Sequence, residues 1–95
     1  DVEQMRGMID TIKDKYEFAA AVIASVSGDK LTFVGGATKG AVSKGVHIGK
    51  VIKEVASIAG GGGGGKPDSA QAGGKNPEKT DEALGAVTKV IEAQL

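Results

Sequence analysis

The sequence predicts a small α/β domain in which a β-hairpin and at least one further strand pack against two to three helices. Three features predict it: a helical stripe of apolar residues at the start, two short apolar runs around Gly28-Asp29, and a second helical stripe after Asn76-Pro77. The chain has 95 residues, 40% hydrophobic and 25% charged, which suits one folded domain. Chains this short bury only roughly 60 to 65% of their unfolded surface, so we expect a module that a neighbouring domain or subunit supports.

The first predicted element is an amphipathic helix over residues 1–17. Its apolar residues recur at spacings of four, three and four, which places them on one helical face. These residues are Met5, Ile9, Ile12 and Tyr16. Because the helical pattern is already present at Asp1, which is not a methionine, we expect the chain to be part of a longer protein.

A β-hairpin is predicted over residues 18–36. Residues 18–27 are apolar and partly β-branched, as in a buried strand. Gly28-Asp29 marks a tight turn, and residues 31–34 supply the second strand. We expect Gly35-Gly36 to end that strand.

Residues 38–59 are predicted to be helical, with a short turn from Thr38 and a firmer helix from about Val46. One side of this helix is aliphatic, and the other carries Lys50 and Lys53. We therefore expect the aliphatic side to pack on the sheet and the lysines to face solvent or a partner.

Two glycines and a histidine lie near the start of this helix. An interior glycine costs about 1 kcal/mol relative to alanine. Gly45 and Gly49 therefore indicate either a close approach by another backbone or a later helix start. We interpret His47, the only histidine, as a packing or capping residue rather than a ligand.

Residues 60–75 are predicted to form a glycine-rich turn and a short strand, and residues 76–95 a helix. The turn ends in Lys66-Pro67-Asp68, and the strand covers residues 69–72. Asn76-Pro77-Glu78 has the residue types of an N-cap, a first helical proline and a first-turn acid. The expected buried face of the last helix consists of Leu84, Val87, Ile91 and Leu95.

Six consecutive glycines, residues 60–65, form what we call the glycine run. A flexible linker is the usual interpretation, but residues 66–95 offer too little for a second core. A phosphate loop or dinucleotide fingerprint follows a strand and opens a helix, whereas this run follows a helix and precedes Lys66-Pro67. Ordering glycines costs roughly 1 to 2 kcal/mol per residue. We therefore expect an ordered turn whose N–H groups contact a phosphate or sugar backbone, with Lys66 at its edge.

Charge is unevenly distributed, although 12 basic residues balance 12 acidic ones. Residues 30–75 carry seven lysines against two acids, a local balance of +5. Such a block favours a polyanion as partner, although solvated surface lysines give the same pattern. Only three residues are aromatic, so stacking platforms for single-stranded bases are few, which favours a folded RNA recognised by shape and backbone.

Composition excludes several classes of function. The chain has no cysteine, which rules out disulfides and a cysteine nucleophile and suits the cytoplasm. No apolar stretch approaches the ~20 residues of a membrane span, so we expect no membrane partner. No His, Asp and Glu cluster has metal-ligand spacing, and Asp81-Glu82 suits the first turn of a helix. We expect no catalytic residue, metal site or cofactor in this chain.

The segment GGGGGGKPDSAQAGGK at residues 60–75 resembles the glycine-rich signature in the C-terminal domain of alanyl-tRNA synthetases. KGVHIGKVIKEVA at residues 44–56 is similar to the helix before that signature, and NPEKTDEAL at residues 76–84 to the helix after it. The resemblance covers about half of the chain and implies a DHHA1-type domain.

In that family the domain follows the aminoacylation and editing domains of an ATP-dependent alanine–tRNA ligase. The resemblance implies that it holds the outer corner of alanine-specific tRNA so that both domains can act on it, and that it contributes to a homodimer in some members. ATP, magnesium and zinc then belong to other parts of the enzyme. The implied RNA contacts are Gly60, Gly61, Gly62, Gly63, Gly64, Gly65, Lys66, Gln71, Gly73, Gly74 and Lys75. Charge and helix phase add Lys39, Lys44, Lys50 and Lys53.

Two alternatives stay open at this level. DHH-type phosphoesterases carry a related nucleic-acid-binding domain, but a histidine commonly follows its glycines, where this chain has Lys66-Pro67-Asp68. The chain also has no Asp-His-His motif. The other alternative is a non-catalytic oligomerisation module, whose helix faces pair with a second subunit while its lysines are merely solvated.

Overall fold

The computed structural model describes residues 2–95. Asp1, with which the predicted first helix begins, lies outside the described residues. The elements in chain order are α1 (Val2–Lys15), β1 (Ala20–Ser27), β2 (Lys30–Ala37), α2 (Lys39–Ser43), α3 (Ile48–Ile58), β3 (Gly62–Lys66), β4 (Ser69–Gly74), one 3₁₀ turn (Pro77–Lys79) and α4 (Thr80–Gln94).

The four strands form one antiparallel sheet in the order β1-β2-β4-β3. Helices α3 and α4 cover one face, where the fully buried Phe33 belongs to the main core. Helix α1 covers the other face and packs Met5 and Ile9 near Val34. This architecture confirms the predicted fold class, a small sheet with a β-hairpin and further strands packed against helices.

The β1–β2 hairpin turns at Gly28-Asp29, as predicted. The prediction of a buried first strand is wrong, because β1 lies at the edge of the sheet and is only partly buried. It also begins at Ala20, so Phe18 precedes it and is 55% exposed.

The predicted end of β2 at Gly35-Gly36 is wrong, because the strand continues to Ala37. Both glycines lie within the strand, where α3 packs against Gly35 on one face of the sheet and α1 packs against Gly36 on the other face. A β-carbon at Gly35 would lie 3.0 Å from side-chain carbons of Ile48 and Ile52 in α3, and one at Gly36 would overlap Ile9 in α1. The missing side chains therefore let both helices approach the sheet closely.

His47 is the N-cap of α3, because its Nδ1 accepts a 3.2 Å hydrogen bond from the N–H of Lys50. Its predicted capping role is confirmed. Both explanations for the neighbouring glycines also hold. The helix begins at Ile48, later than predicted, and a β-carbon on Gly49 would overlap the backbone of β3, while Gly45 has a φ of +112°.

The two terminal helices bury less of their predicted stripes than expected. Tyr16 lies beyond the end of α1 and is 59% exposed, and Leu95 is 69% exposed. Helix α4 begins one 3₁₀ turn later than predicted, and Asn76 makes no side-chain capping bond. The fully buried residue of α4 is Ala83, whose small side chain lets α4 approach the core. The partly buried residues around it are Leu84, Val87, Val90 and Ile91.

The glycine run departs most from its prediction, since most of it forms a strand rather than a turn. Strand β3 pairs with β4, and the turn falls at Pro67-Asp68. Pairing with β4 satisfies N–H and C=O groups that a turn would leave to solvent or a ligand. Gly63 and Gly64 reach this pairing with φ of +152° and +149°, values that residues with side chains rarely adopt.

Candidate nucleic-acid interface

The glycine run begins by ending α3. Gly60 has a φ of +74°, in the left-handed region that favours glycine. Its N–H donates to the carbonyl oxygen of Ser57 at 3.1 Å, and the N–H of Gly61 donates to that of Ala56 at 2.9 Å. These two bonds make a Schellman motif. The helix end therefore explains Gly60 without any ligand.

The next glycines let other backbones lie directly against β3. A β-carbon on Gly49, in the first turn of α3, would overlap the carbonyl oxygen of Gly65, and one on Gly64 would lie 3.5 Å from the oxygen of Gly49. On the other side, β-carbons at Gly61 and Gly63 would overlap the β4 backbone. A β-carbon at Gly65 would likewise overlap the carbonyl oxygen of Ser69. Close backbone packing or positive φ thus accounts for four more glycines of the run, Gly61 and residues 63–65.

Two glycines of the β3–β4 hairpin have no such explanation. Gly62 and Gly73 lie directly opposite each other in the strand pairing and are both exposed. A β-carbon at Gly62 would meet no heavy atom within 4 Å, and one at Gly73 would make an ordinary contact at 3.7 Å with the carbonyl oxygen of Leu31. Packing therefore permits side chains at both positions. We call Gly62 and Gly73 the open glycine pair.

The open glycine pair lines a shallow depression at one end of the sheet, beside Val2 of α1. Lys30 and Lys75 also line this depression. Lys30 precedes Leu31, and Lys75 follows Gly74. Because Leu31 pairs with Gly74 in antiparallel strands, both lysines lie at the same end of the sheet. No acidic residue is among those that line it within residues 2–95. We call it the Lys75 depression, and its lining is purely basic in charge.

A second depression, the Lys66 depression, lies farther along the same hairpin, near its turn. Lys66 lines it together with Arg6 from α1, whose Nη2 donates a 2.9 Å hydrogen bond to Oε1 of Gln71 in β4. Gln71 lines both depressions. One acid, Asp68, also lines the Lys66 depression and lowers its positive charge. We call the two depressions together the glycine face.

The structure brings most of the predicted hairpin contacts together on the glycine face. Gly60 and Gly63 are exceptions, since they line neither depression. The predicted residues that do line one are Gly61, Gly62, Gly64, Gly65, Lys66, Gln71, Gly73, Gly74 and Lys75.

The four lysines predicted from charge and helix phase lie elsewhere. Lys50 and Lys53 line a groove between α3 and α4, on the sheet face opposite α1. Lys39 begins α2, and Lys44 follows it, with its Nζ 5.5 Å from the ring centre of Phe18. None of these four side chains lines the glycine face.

Sequence reasoning missed two basic residues of the glycine face, Lys30 and Arg6. Lys30 was visible as part of the basic block, but its neighbour Lys75 is 45 positions away and only strand register joins them. Arg6 gave no signal, because its contact depends on how α1 lies across the sheet.

Within residues 2–95, no three His, Cys, Asp or Glu side chains are grouped so that they could hold a metal ion. Over the same residues, each helix falls short of the length and hydropathy that a bilayer crossing requires.

The fold and the glycine face together define a class of small α/β module whose edge hairpin exposes bare backbone between basic residues. The sequence matches the DHHA1 domain family over residues 1–93, and the chain belongs to that family.

Known proteins with similar sequences are alanine–tRNA ligases. The chain is 54% identical over 93 residues to the enzyme of Shouchella clausii strain KSM-K16 and 50% identical over 93 residues to that of Bacillus thuringiensis strain Al Hakam. Each match covers 98% of this chain but 11% of the relative. The chain therefore spans only a small part of these enzymes.

Among solved structures, the chain is similar to the crystal structure of the C-Ala domain from Aquifex aeolicus alanyl-tRNA synthetase. The TM-score is 0.85 at 37% identity, over 96% of this chain and 81% of that one. The predicted resemblance to the C-terminal domain of alanyl-tRNA synthetases is thus confirmed.

Proposed function

We propose that this domain binds tRNA through the glycine face, as the C-terminal part of an alanine–tRNA ligase. It holds the outer corner of alanine-specific tRNA so that the aminoacylation and editing domains can act on the same molecule. The enzymes it resembles are named as ligases that act on tRNA. The domain contributes binding and no chemistry, so ATP, magnesium and zinc serve the remaining domains, and the cytoplasm is its expected location.

The open glycine pair is the observation that carries this proposal. Gly62 and Gly73 are exposed and have room for a β-carbon, so the fold does not require glycine at either position. Bare backbone instead lets a sugar–phosphate chain approach the face of the sheet to contact distance. Lys75, at the same depression, supplies positive charge for a phosphate.

The lining of the glycine face favours recognition of RNA by its backbone and shape. No aromatic residue is among the described residues that line either depression. Stacking on aromatic rings is the usual way to hold unpaired bases. Folded RNA offers phosphates and ribose hydroxyls instead, which bare backbone and lysines can contact.

Titration with tRNA tests this proposal by changing the bare backbone alone. Gly62→Val adds a β-carbon that meets no heavy atom within 4 Å apart from its chain neighbours, so the circular dichroism spectrum and unfolding midpoint should stay unchanged. We expect tRNA affinity to fall about tenfold or more, equivalent to ~1.4 kcal/mol of lost contact. Gly85→Ala, at an equally open glycine in α4, is the matched control. Unchanged affinity of a folded Gly62→Val chain would show that bare backbone is not the binding surface.

The charge part of the proposal is tested at two salt concentrations. Lys66→Ala and Lys75→Ala should each weaken binding and reduce the slope of log affinity against log salt by about 0.7 to 0.9, one phosphate contact. Lys89→Ala, an exposed lysine of α4, should change neither. Identical slopes in all four chains would contradict an electrostatic role for the glycine face.

Homodimer formation is a second candidate function, favoured by an apolar groove away from the glycine face. Phe18 and Leu95 are 55% and 69% exposed and line this groove together with Ile91. Sedimentation velocity over a wide concentration range tests it, with Phe18→Ser expected to shift the chain toward monomer. A wild-type chain that stays monomeric at every concentration would dismiss the candidate.

A further inference from the structure

We infer that the glycine face holds one nucleic-acid strand at two separated phosphate positions. Lys30 and Lys75 hold the first, and Arg6 and Lys66 hold the second, with nearly bare backbone between them. This inference rests on the proposed function, because it concerns the same face. It adds Arg6 and Lys30 as binding residues and specifies how the ligand lies.

The first position is the Lys75 depression. Lys30 begins β2 and Lys75 directly follows β4, so the two lysines lie on opposite sides of the β2–β4 pairing. None of the described residues that line this depression is acidic. Neither ammonium group is therefore neutralised by a carboxylate there. Two ammonium groups beside bare backbone are a suitable site for one phosphodiester.

The second position is the Lys66 depression, where Arg6 is the distinctive donor. A guanidinium carries five N–H donors, and Arg6 uses Nη2 to bind Oε1 of Gln71 at 2.9 Å. The remaining donors suit a phosphate, which arginine binds in a two-point fork. The bond to Arg6 uses one of the two lone pairs of the Gln71 carbonyl oxygen and fixes the orientation of the amide, whose NH₂ group can donate to a phosphate. Asp68 partly offsets the positive charge here, which makes this position the weaker one.

The distance between the two positions favours two phosphates. Lys66 pairs with Ser69, the first residue of β4. Lys75 lies six residues after Ser69, directly beyond the end of β4. At about 3.3 Å per residue, six steps span roughly 20 Å. Both lysines would have to lie fully extended along the strand to reach one phosphate across that length, so each end of the face is suited to a phosphate of its own.

Between the two positions, the hairpin presents few side chains to a strand that runs along it. The cross-strand pairs there are Gly62 with Gly73, Gly63 with Ala72, Gly64 with Gln71, and Gly65 with Ala70. Both alanines are buried, five of the other six residues are glycines, and Gln71 is held to α1 by Arg6. A polynucleotide backbone can therefore follow the hairpin in contact with it, with its bases directed away from the protein.

Phosphate-ethylation interference on tRNA tests this arrangement directly. The wild-type chain should show two clusters of phosphates at which ethylation blocks binding. Arg6→Gln should remove one cluster and Lys30→Gln the other, because each variant leaves one position intact. A single cluster, or the loss of the same cluster in both variants, would overturn the two-position inference.

Salt titrations of the same variants provide an independent measurement. Arg6→Gln and Lys30→Gln should each lower the log–log salt slope by about 0.7 to 0.9, and the double variant by the sum. Lys15→Gln, on the same helix as Arg6, and Lys89→Gln are matched exposed controls that should keep the wild-type slope. Asp68→Asn should bind tRNA more tightly than wild type, since it removes a carboxylate from the second position.

The outcomes separate this inference from the proposed function. If Gly62→Val and Lys75→Ala weaken binding while Arg6→Gln and Lys30→Gln do not, the glycine face binds RNA at one position and the inference fails alone. If none of these variants changes tRNA affinity, the proposed function fails with it. Binding of an acidic protein but not of tRNA would likewise overturn both.

Discussion

The two hairpins of the sheet are stabilised in opposite ways. The β1–β2 hairpin presents apolar side chains to both faces, with Phe33 toward α3 and Ile23 and Val34 toward α1. In β3, Lys66 is the one residue of five with a side chain. That strand is held by pairing with β4 and by direct contact between its backbone and α3. Burial of side chains thus builds one hairpin and close backbone packing the other, and the second leaves a bare face for a ligand.

The largest expected effect comes from the side-chain hairpin. Phe33 is fully buried in the main core, and Phe33→Ala removes its burial and leaves a cavity. Such changes cost about 3 to 5 kcal/mol, a large share of the stability of a small domain. Urea unfolding monitored by circular dichroism measures the loss, and a cost below about 1 kcal/mol would mean that this hairpin does not depend on side-chain burial.

The same substitution at two glycines tests the backbone-packed hairpin. Gly49→Val would overlap the carbonyl oxygen of Gly65, which should cost about 1 to 3 kcal/mol or more. Valine is the better helix former of the two residues, so a loss cannot come from helix propensity. Gly62→Val, where space is open, should change the free energy of unfolding by no more than about 0.5 kcal/mol. Equal effects at the two sites would refute direct backbone contact between α3 and β3.

An effect smaller than that of Gly49→Val, and opposite in sign, is expected outside both hairpins. Gly85 is within α4, and a β-carbon there would meet no heavy atom within 4 Å. Gly85→Ala should therefore stabilise the chain by about 0.5 to 1 kcal/mol through helix propensity. Thermal unfolding gives the sign, and a lower melting temperature would show an unseen constraint on α4.

Local patterns predicted much of the fold. The turn at Gly28-Asp29 and the capping role of His47 are both as expected, because turn and cap residues act through neighbours in the chain. The same local reasoning predicted a wrong end for β2 at Gly35-Gly36, because glycine is unfavourable in a strand when only its neighbours in the chain are considered. Here the two helices that lie against those glycines decide the outcome.

The candidate site was only partly predictable. The glycine run and its lysines were visible in the sequence, and the resemblance they carry is confirmed. Whether Gly60 ends a helix while Gly62 faces open space was not visible, because identical residues carry no pattern that distinguishes one from the next. Lys30 and Arg6 join the face only through strand register and helix placement.

The sequence by itself therefore determined the fold class, the family and the location of the glycine-rich segment, since periodicity, turn residues and the signature at residues 60–75 are local properties. Tertiary structure alone decided that residues 62–66 form an edge strand and that its bare face lies between basic residues of α1, β2, β3 and the residue after β4. The physical reason is that β3 has almost no side chains to specify its partner. Backbone pairing with β4 and contact with α3 specify it instead, and both depend on residues distant in the chain.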